Sequence, residues 1–249
     1  MKKAIVVVSF GTTYDDTRAK TLEVIEKSIE DEFSDYYVTR AYTSSIVLKR
    51  LKARGFDIQG IEECLESLEK YEEVILQPTH IIAGYEYEKI LKATQKFKNK
   101  FNNIVIGKPL LYNEEDYNSV SSFINTNFGS FKGKVLLMGH GSDHSSDEAY
   151  KRLQGLLNEN IYIATVEGSI TFEDIKTNLE NERVLLAPFM IVCGDHGNND
   201  MAGSEDSWKA HLEEVGCTVS LSLKGLGEYE EIRSIFISHT KEAIYNLGS

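Results

Sequence analysis

Eight short apolar runs, most of them rich in Val, Ile and Leu, alternate along this chain with longer stretches whose apolar residues recur every three to four positions. Runs of the first kind suit strands buried on both faces, and stretches of the second kind suit amphipathic helices. The pattern therefore predicts βαβ units built around a largely parallel sheet. The strand candidates are Ala4 to Phe10, Tyr37 to Tyr42, Glu73 to Pro78, Asn103 to Pro109, Lys134 to His140, Ile161 to Glu167, Arg183 to Ile191 and Thr218 to Lys224. Helices are expected between them, for example over Tyr14 to Glu32 and Ser145 to Asn158.

The bland segment Gly129 to Gly133 is the expected boundary between an N-terminal lobe, 1–128, and a C-terminal lobe, 129–249. Three local likenesses suggest that the halves repeat one architecture. VVSFGTT aligns with LLMGHGS, setting Phe10 opposite His140. AYTSSI aligns with TVEGSI, setting Thr43 opposite Glu167. QPTHIIAGYE aligns with APFMIVCGDH, setting Glu86 opposite His196. Each half would then be a four-stranded sheet wound like flavodoxin, its first strand between its second and third. The pair would be related by a pseudo-twofold, with a cleft between the two sets of carboxyl ends.

Within that architecture three polar residues stand at the ends of different strands: His140 in VLLMGHG, Glu167 in IYIATVEG and His196 in PFMIVCGDHG. Ligands of open α/β sheets gather beyond the carboxyl ends of the strands. Neighbouring strands lie about 4.8 Å apart, so side chains at three adjacent strand ends can reach a common cation. Two imidazoles and a carboxylate suit a first-row ion such as Co²⁺, Ni²⁺, Fe²⁺ or Zn²⁺, and three protein ligands leave positions open for chemistry. Plainer readings stand beside this one. A histidine between Gly139 and Gly141 can simply cap a turn, His196 can belong to a solvated loop, and Glu167 can be an exposed acid before a turn. Glu86 competes as the acidic group, against a role in complementing a helix dipole. Asp143, His144 and Asp147 read as caps of the helix beginning near Ser145. Tyr85 and Tyr87 fit either an aromatic-ligand cleft or half-buried helix positions.

Composition narrows the field. The 249 residues, 41% of them hydrophobic, suffice for two lobes of about 120 residues each. No apolar run is long enough to cross a bilayer, and the apolar stretch near Met1 is too short for a signal peptide, so a cytoplasmic location is expected. Three cysteines without a C-x-x-C pair read as reduced thiols rather than a disulfide framework or thiolate zinc site. A net charge of −12 disfavours nucleic acid as a partner while leaving room for a local basic rim that holds small anions. The chain has no G-x-S-x-G elbow, no G-x-x-x-x-G-K-[ST] phosphate loop and no H-E-x-x-H helix.

Taken together, Phe10-Gly-Thr-Thr13, Pro78-Thr-His80 leading to Gly84-Tyr-Glu86-Tyr-Glu88, Gly139-His-Gly141, Val166-Glu-Gly168 and the run Pro188-Phe-Met-x-Val-x-Gly-Asp-His-x-x-Asn-Asp-Met201 resemble the anaerobic sirohydrochlorin cobaltochelatases, class II tetrapyrrole chelatases related to ferrochelatase. The resemblance runs nearly end to end. It implies two similar flavodoxin-like lobes and ATP-independent insertion of Co²⁺ into sirohydrochlorin, or into precorrin-2 when the reduced precursor is used, with no nucleotide cofactor. By position it implies His140, Glu167 and His196 as metal ligands and His140 and Glu86 as catalytic groups, with either acid able to serve as the carboxylate ligand. It also implies tetrapyrrole binding by Phe10, Gly11, Thr12, Thr13 and Tyr85. Neither a nucleic acid nor a membrane is an expected partner, and an assembly of identical subunits is compatible with this reading. Fe²⁺ or Ni²⁺ insertion is the nearest alternative, and a metal or tetrapyrrole carrier without turnover is the alternative of a different class.

Overall fold

The computed structural model describes residues 2–247. Its strands are β1 (Lys3–Ser9), β2 (Tyr37–Tyr42), β3 (Glu73–Pro78), β4 (Asn103–Ile106), β5 (Lys134–Gly139), β6 (Ile161–Thr165), β7 (Arg183–Pro188) and β8 (Thr218–Leu221). They form two all-parallel sheets, ordered β2-β1-β3-β4 and β6-β5-β7-β8. In each sheet the first strand lies between the second and third, the flavodoxin-like winding expected from the sequence. The central strands β1, β3 and β5 are buried along nearly their whole length, as continuous apolar runs covered on both faces by helices require, whereas β4 and β8 at the edges are not.

The first sheet is flanked by α1 (Asp15–Lys20), α2 (Leu22–Glu32), α3 (Ser45–Ala53), α4 (Ile61–Ser67) and α5 (Tyr85–Phe97). The second is flanked by α6 (Glu114–Phe128), α7 (Glu148–Gln154), α8 (Phe172–Lys176) and α9 (Trp208–Glu214), and α10 (Glu230–Leu247) closes the chain. The single helix expected over Tyr14 to Glu32 breaks at Thr21. Its hydroxyl donates to the Thr17 carbonyl at 2.6 Å and its backbone is bent from ideal helical values, with φ −119° and ψ −79°. The element expected from Ser145 begins as one 3₁₀ turn, Ser145–Asp147, and continues as α7.

Two compact units result: Met1–Tyr112 with Gly227–Ser249, and Asn113–Leu226. This division differs from the one expected at Gly129. Helix α6 groups with the second sheet, where the Arg152 guanidinium lies 4.1 Å from the Tyr117 ring centre and Asn125 bonds to the backbone of Leu156 and Asn158. Helix α10 returns to the first sheet: it packs on β3 and β4, and Thr240 donates to Gln77 Oε1 at 3.2 Å. A polar glycine turn marks the end of an element, but the apolar face of a helix decides which core it joins.

The repeat can be followed bond by bond. Thr79 N–H donates to the Val8 carbonyl and Phe189 N–H to that of Met138, so the two Pro-ended strands occupy equivalent positions. Ser44 N–H donates to the Phe10 carbonyl and Glu167 N–H to that of His140. Ser44, not Thr43, is therefore the residue opposite Glu167. The likeness of AYTSSI to TVEGSI is offset by one residue from the ladder register.

Candidate metal centre

His140 and Glu167 follow the last ladder residues of β5 and β6, and His196 lies beyond β7; all three belong to the second unit. The His140 and His196 rings meet edge to face with centroids 4.7 Å apart, and Glu167 Oε2 lies 3.9 Å from His140 Nδ1. His140 is the common member. Among the described residues no three His, Cys, Asp or Glu side chains close into a ready coordination cage, so the trio stands as neighbours rather than as a preformed polyhedron. Glu167, its side chain 64% exposed, is the outermost and keeps the rotamer freedom to approach or leave the rings.

The environment of each imidazole sets which nitrogen faces outward. His140 Nδ1 lies 3.0 Å from the Gly141 carbonyl oxygen, an acceptor, and His196 Nδ1 lies 2.5 Å from Asp200 Oδ2. With Nδ1–H donating in both rings, each Nε2 presents its lone pair. A carboxylate behind a histidine is the usual device for fixing such a ligand. Asp200 reaches His196 because residues Gly197–Met201 form a single wide π-helical turn, which places the two side chains on one face.

The loop carrying His140 is shaped by glycine at both sides. Gly141 adopts φ +77°, and a Cβ there would strike Gly168 N and Thr165, while one on Gly139 would come within 2.8 Å of the Tyr150 ring. Beneath the loop lies buried Asp147. It was expected to cap a helix, but it makes no cap bond to α7; instead Oδ1 accepts from Ser142 N–H at 3.0 Å and Oδ2 from Ser169 N–H at 2.7 Å. His144 does cap, its Nδ1 accepting from Ser146 N–H at 3.0 Å. Asp143 is exposed.

The remaining sequence candidates lie in the first unit. Phe10 is 48% exposed just past β1, and Gly11 follows with φ +95° above the Tyr42 ring, where no Cβ would fit. Thr12 is buried and its hydroxyl accepts from Tyr14 N–H at 3.2 Å, while Thr13 is half-buried, its carbonyl bonded by Arg54. Tyr85, at the start of α5, is 51% exposed, whereas Tyr87 packs against the core and its phenol is pushed up to about 12 by burial and by nearby Tyr112. Tyr87 thus takes the half-buried helix position, and Tyr85 is the more open of the two.

Glu86 lies in the first turn of α5, where the helix dipole favours a carboxylate. Its Oε1 accepts from Lys89 at 2.6 Å, and its Oε2 is buried with no hydrogen-bond partner. His80 sits nearby: its Nε2 is 3.4 Å from Thr43 Oγ1, and its Nδ1 is buried and unpartnered. Burial holds this imidazole down to about 4, partly offset by Glu86 and reinforced by Lys89. Beside this cluster an open pocket of about 370 Å³ is lined by residues that include Tyr42, Thr43, Leu48, Lys89 and Lys92. It contains none of the trio. Asp200 and His80 are thus polar groups past strand ends whose roles the sequence did not assign, and Asp147 was assigned a cap it does not make. For Asp200 a signal existed, since it lies four residues beyond His196, the spacing that places two side chains together on a helical turn.

The chain as a whole resembles known proteins. Residues 3–245 match the family described as cobalt chelatase (CbiK). The chain is 34% identical to the sirohydrochlorin cobaltochelatase of Salmonella typhimurium, over 98% of this chain and 97% of that protein. It is 29% identical to the sirohydrochlorin cobaltochelatase CbiKC of Nitratidesulfovibrio vulgaris, over 98% and 91% of the two. In fold it is similar to SirB from Bacillus subtilis, solved with Fe³⁺, with a TM-score of 0.69 at 16% identity over 100% of this chain and 98% of that one. It is also similar to CbiX, the terminal enzyme of siroheme biosynthesis in denitrifying bacteria, with a TM-score of 0.62 at 14% identity over 97% and 99%. This chain belongs to the cobalt chelatase (CbiK) family.

Proposed function

We propose that this protein is a sirohydrochlorin cobaltochelatase, a lyase of the cytoplasm that inserts Co²⁺ into the macrocycle without ATP. The observation that carries the chemistry is the pairing of His140 and His196, 4.7 Å apart, with each Nδ1 tied back to an oxygen acceptor and Glu167 within reach. Such a set binds a divalent ion through neutral nitrogen and one carboxylate, leaving exchangeable positions for the incoming pyrrole nitrogens.

Insertion exchanges one divalent cation for two pyrrolic protons. The ion must be held loosely enough to be handed over, and the protons need acceptors. The trio meets the first need by its openness, because no closed cage has to be dismantled. For the second, His140 regains a free lone pair once the ion leaves it, and Glu86 has a carboxylate oxygen without a partner. Exposed Phe10 and Tyr85 offer aromatic surface to a flat tetrapyrrole and half-buried Thr13 a polar edge, while buried Gly11 and Thr12 shape the loop that carries Phe10. No covalent intermediate is required, so positioning and the charge of the ion supply the rate gain.

Anaerobic incubation of the protein with sirohydrochlorin and Co²⁺, Fe²⁺ or Ni²⁺ in turn, followed by the absorption change on metallation, tests the proposal. Catalysed Co²⁺ insertion above the uncatalysed rate is expected. Binding spectra without metallation would identify a carrier instead, and faster insertion of Fe²⁺ or Ni²⁺ would reassign the metal, since a His and carboxylate donor set selects weakly among these ions.

A further inference from the structure

Asp147 touches none of the three metal-ligand candidates, yet it is 4% exposed and both its oxygens are committed to the backbone of the two loops that carry two of them. Oδ1 accepts from Ser142 N–H, two residues past His140, and Oδ2 from Ser169 N–H, two residues past Glu167. The loops are also joined directly, Glu167 N–H donating to the His140 carbonyl at 2.8 Å. Glycine makes room for the carboxylate: a Cβ on Gly168 would come within 2.5 Å of Asp147 Oδ1 and of Thr165 Oγ1. One turn further along the same helix, buried Tyr150 engages the backbone of Gly141. A carboxylate with two charge-assisted bonds to backbone N–H groups is a strong tie.

Resting on the metal-site reading above, we propose that Asp147 is a positioning residue of the metal centre, clamping the His140 and Glu167 loops at the separation that lets both side chains reach one ion. Replacing it by Asn keeps the shape but turns one accepting oxygen into an N–H group that faces another N–H. One loop is then released while the ligands themselves stay intact.

The experiment is Co²⁺ titration of the full chain without tetrapyrrole, by calorimetry and by the ligand-field absorption of bound Co²⁺, in wild type, Asp147→Asn, Glu167→Gln and the double variant. Asp147→Asn is expected to weaken Co²⁺ by about 10- to 100-fold, the usual cost of removing an outer-shell partner, and to alter the ligand-field spectrum. The double variant should lose much less than the product of the two single losses, because Glu167 acts through the clamp. Gly168→Ala, which crowds the carboxylate without removing it, should weaken Co²⁺ in the same direction, and it keeps the test available if Asp147→Asn does not fold. Unchanged affinity and spectrum in a folded Asp147→Asn, or strictly multiplicative losses, would overturn the clamp while leaving the metal site standing. A wild-type chain that binds no Co²⁺ would overturn the metal-site reading itself, and the clamp with it.

Discussion

At the scale of single residues, the two acids left open by the sequence now differ in surroundings. Glu167 is largely exposed and 3.9 Å from the common histidine, while Glu86 is 29% exposed, paired with Lys89 through one oxygen and unpartnered at the other. On the function proposed above, the first is a ligand and the second a proton acceptor. Glu167→Gln, which removes a charged ligand, should weaken Co²⁺ binding measured without tetrapyrrole by at least as much as Asp147→Asn. Glu86→Gln should leave that affinity nearly unchanged and slow insertion by about 100-fold, in the range of a lost general base. Calorimetry beside anaerobic turnover separates the two, and the reverse pattern would exchange their roles. The closeness of His140 and His196 was legible in sequence: glycines around His140 and a polar burst after an apolar strand at His196 are local signals. Asp147 was not. A carboxylate that bonds the backbone of two distant loops looks, in one dimension, like any acid at the start of a helix.

At the scale of elements, all eight strands stand where apolar runs expect them, and several end earlier than the runs do. β7 stops at Pro188, although Phe189, Met190 and Ile191 are also buried. Apolarity reports burial, whereas a ladder also needs a partner strand, and the two part company where the chain turns out of the sheet. That turning-out is what frees the candidate ligands, because His140, Glu167 and His196 all lie beyond the last ladder residue of their strand. The break at Thr21 left no periodicity signal, since the buried positions Arg18, Leu22, Ile25 and Ile29 keep helical spacing across it. Strand order matches the flavodoxin-like winding supposed for each half. The return of α10 to the first unit was not expected, because it depends on packing across most of the chain length.

At the scale of the whole molecule, two buried ionisable groups of the first unit set opposing pH dependences of stability. Burial pushes Glu26 up to about 7 from 4.5, despite its ion pair with Arg40 at 2.6 Å, and holds His80 down to about 4 from 6.5. Between pH 7 and 4.5 the folded state binds more protons at Glu26 than the unfolded chain, so acidification stabilises through this group. Between pH 6.5 and 4 the unfolded chain binds more protons at His80, so acidification destabilises through that one. Each contribution is at most about 3 kcal/mol, and in the overlapping range they oppose one another. In denaturant unfolding followed against pH, Glu26→Gln should therefore lose stability relative to wild type as pH falls from 7, and His80→Gln should gain it as pH falls from 6.5. Parallel curves for all three proteins would contradict both assignments. On the proposed function the paired histidines deliver the ion to the macrocycle, and anaerobic Co²⁺ insertion into sirohydrochlorin by wild type, His140→Ala and His196→Ala checks this. The expected result is catalysed insertion by wild type and a loss of about 100-fold or more in each variant, with far-ultraviolet circular dichroism and melting behaviour preserved. Insertion at the wild-type rate in both folded variants would contradict it.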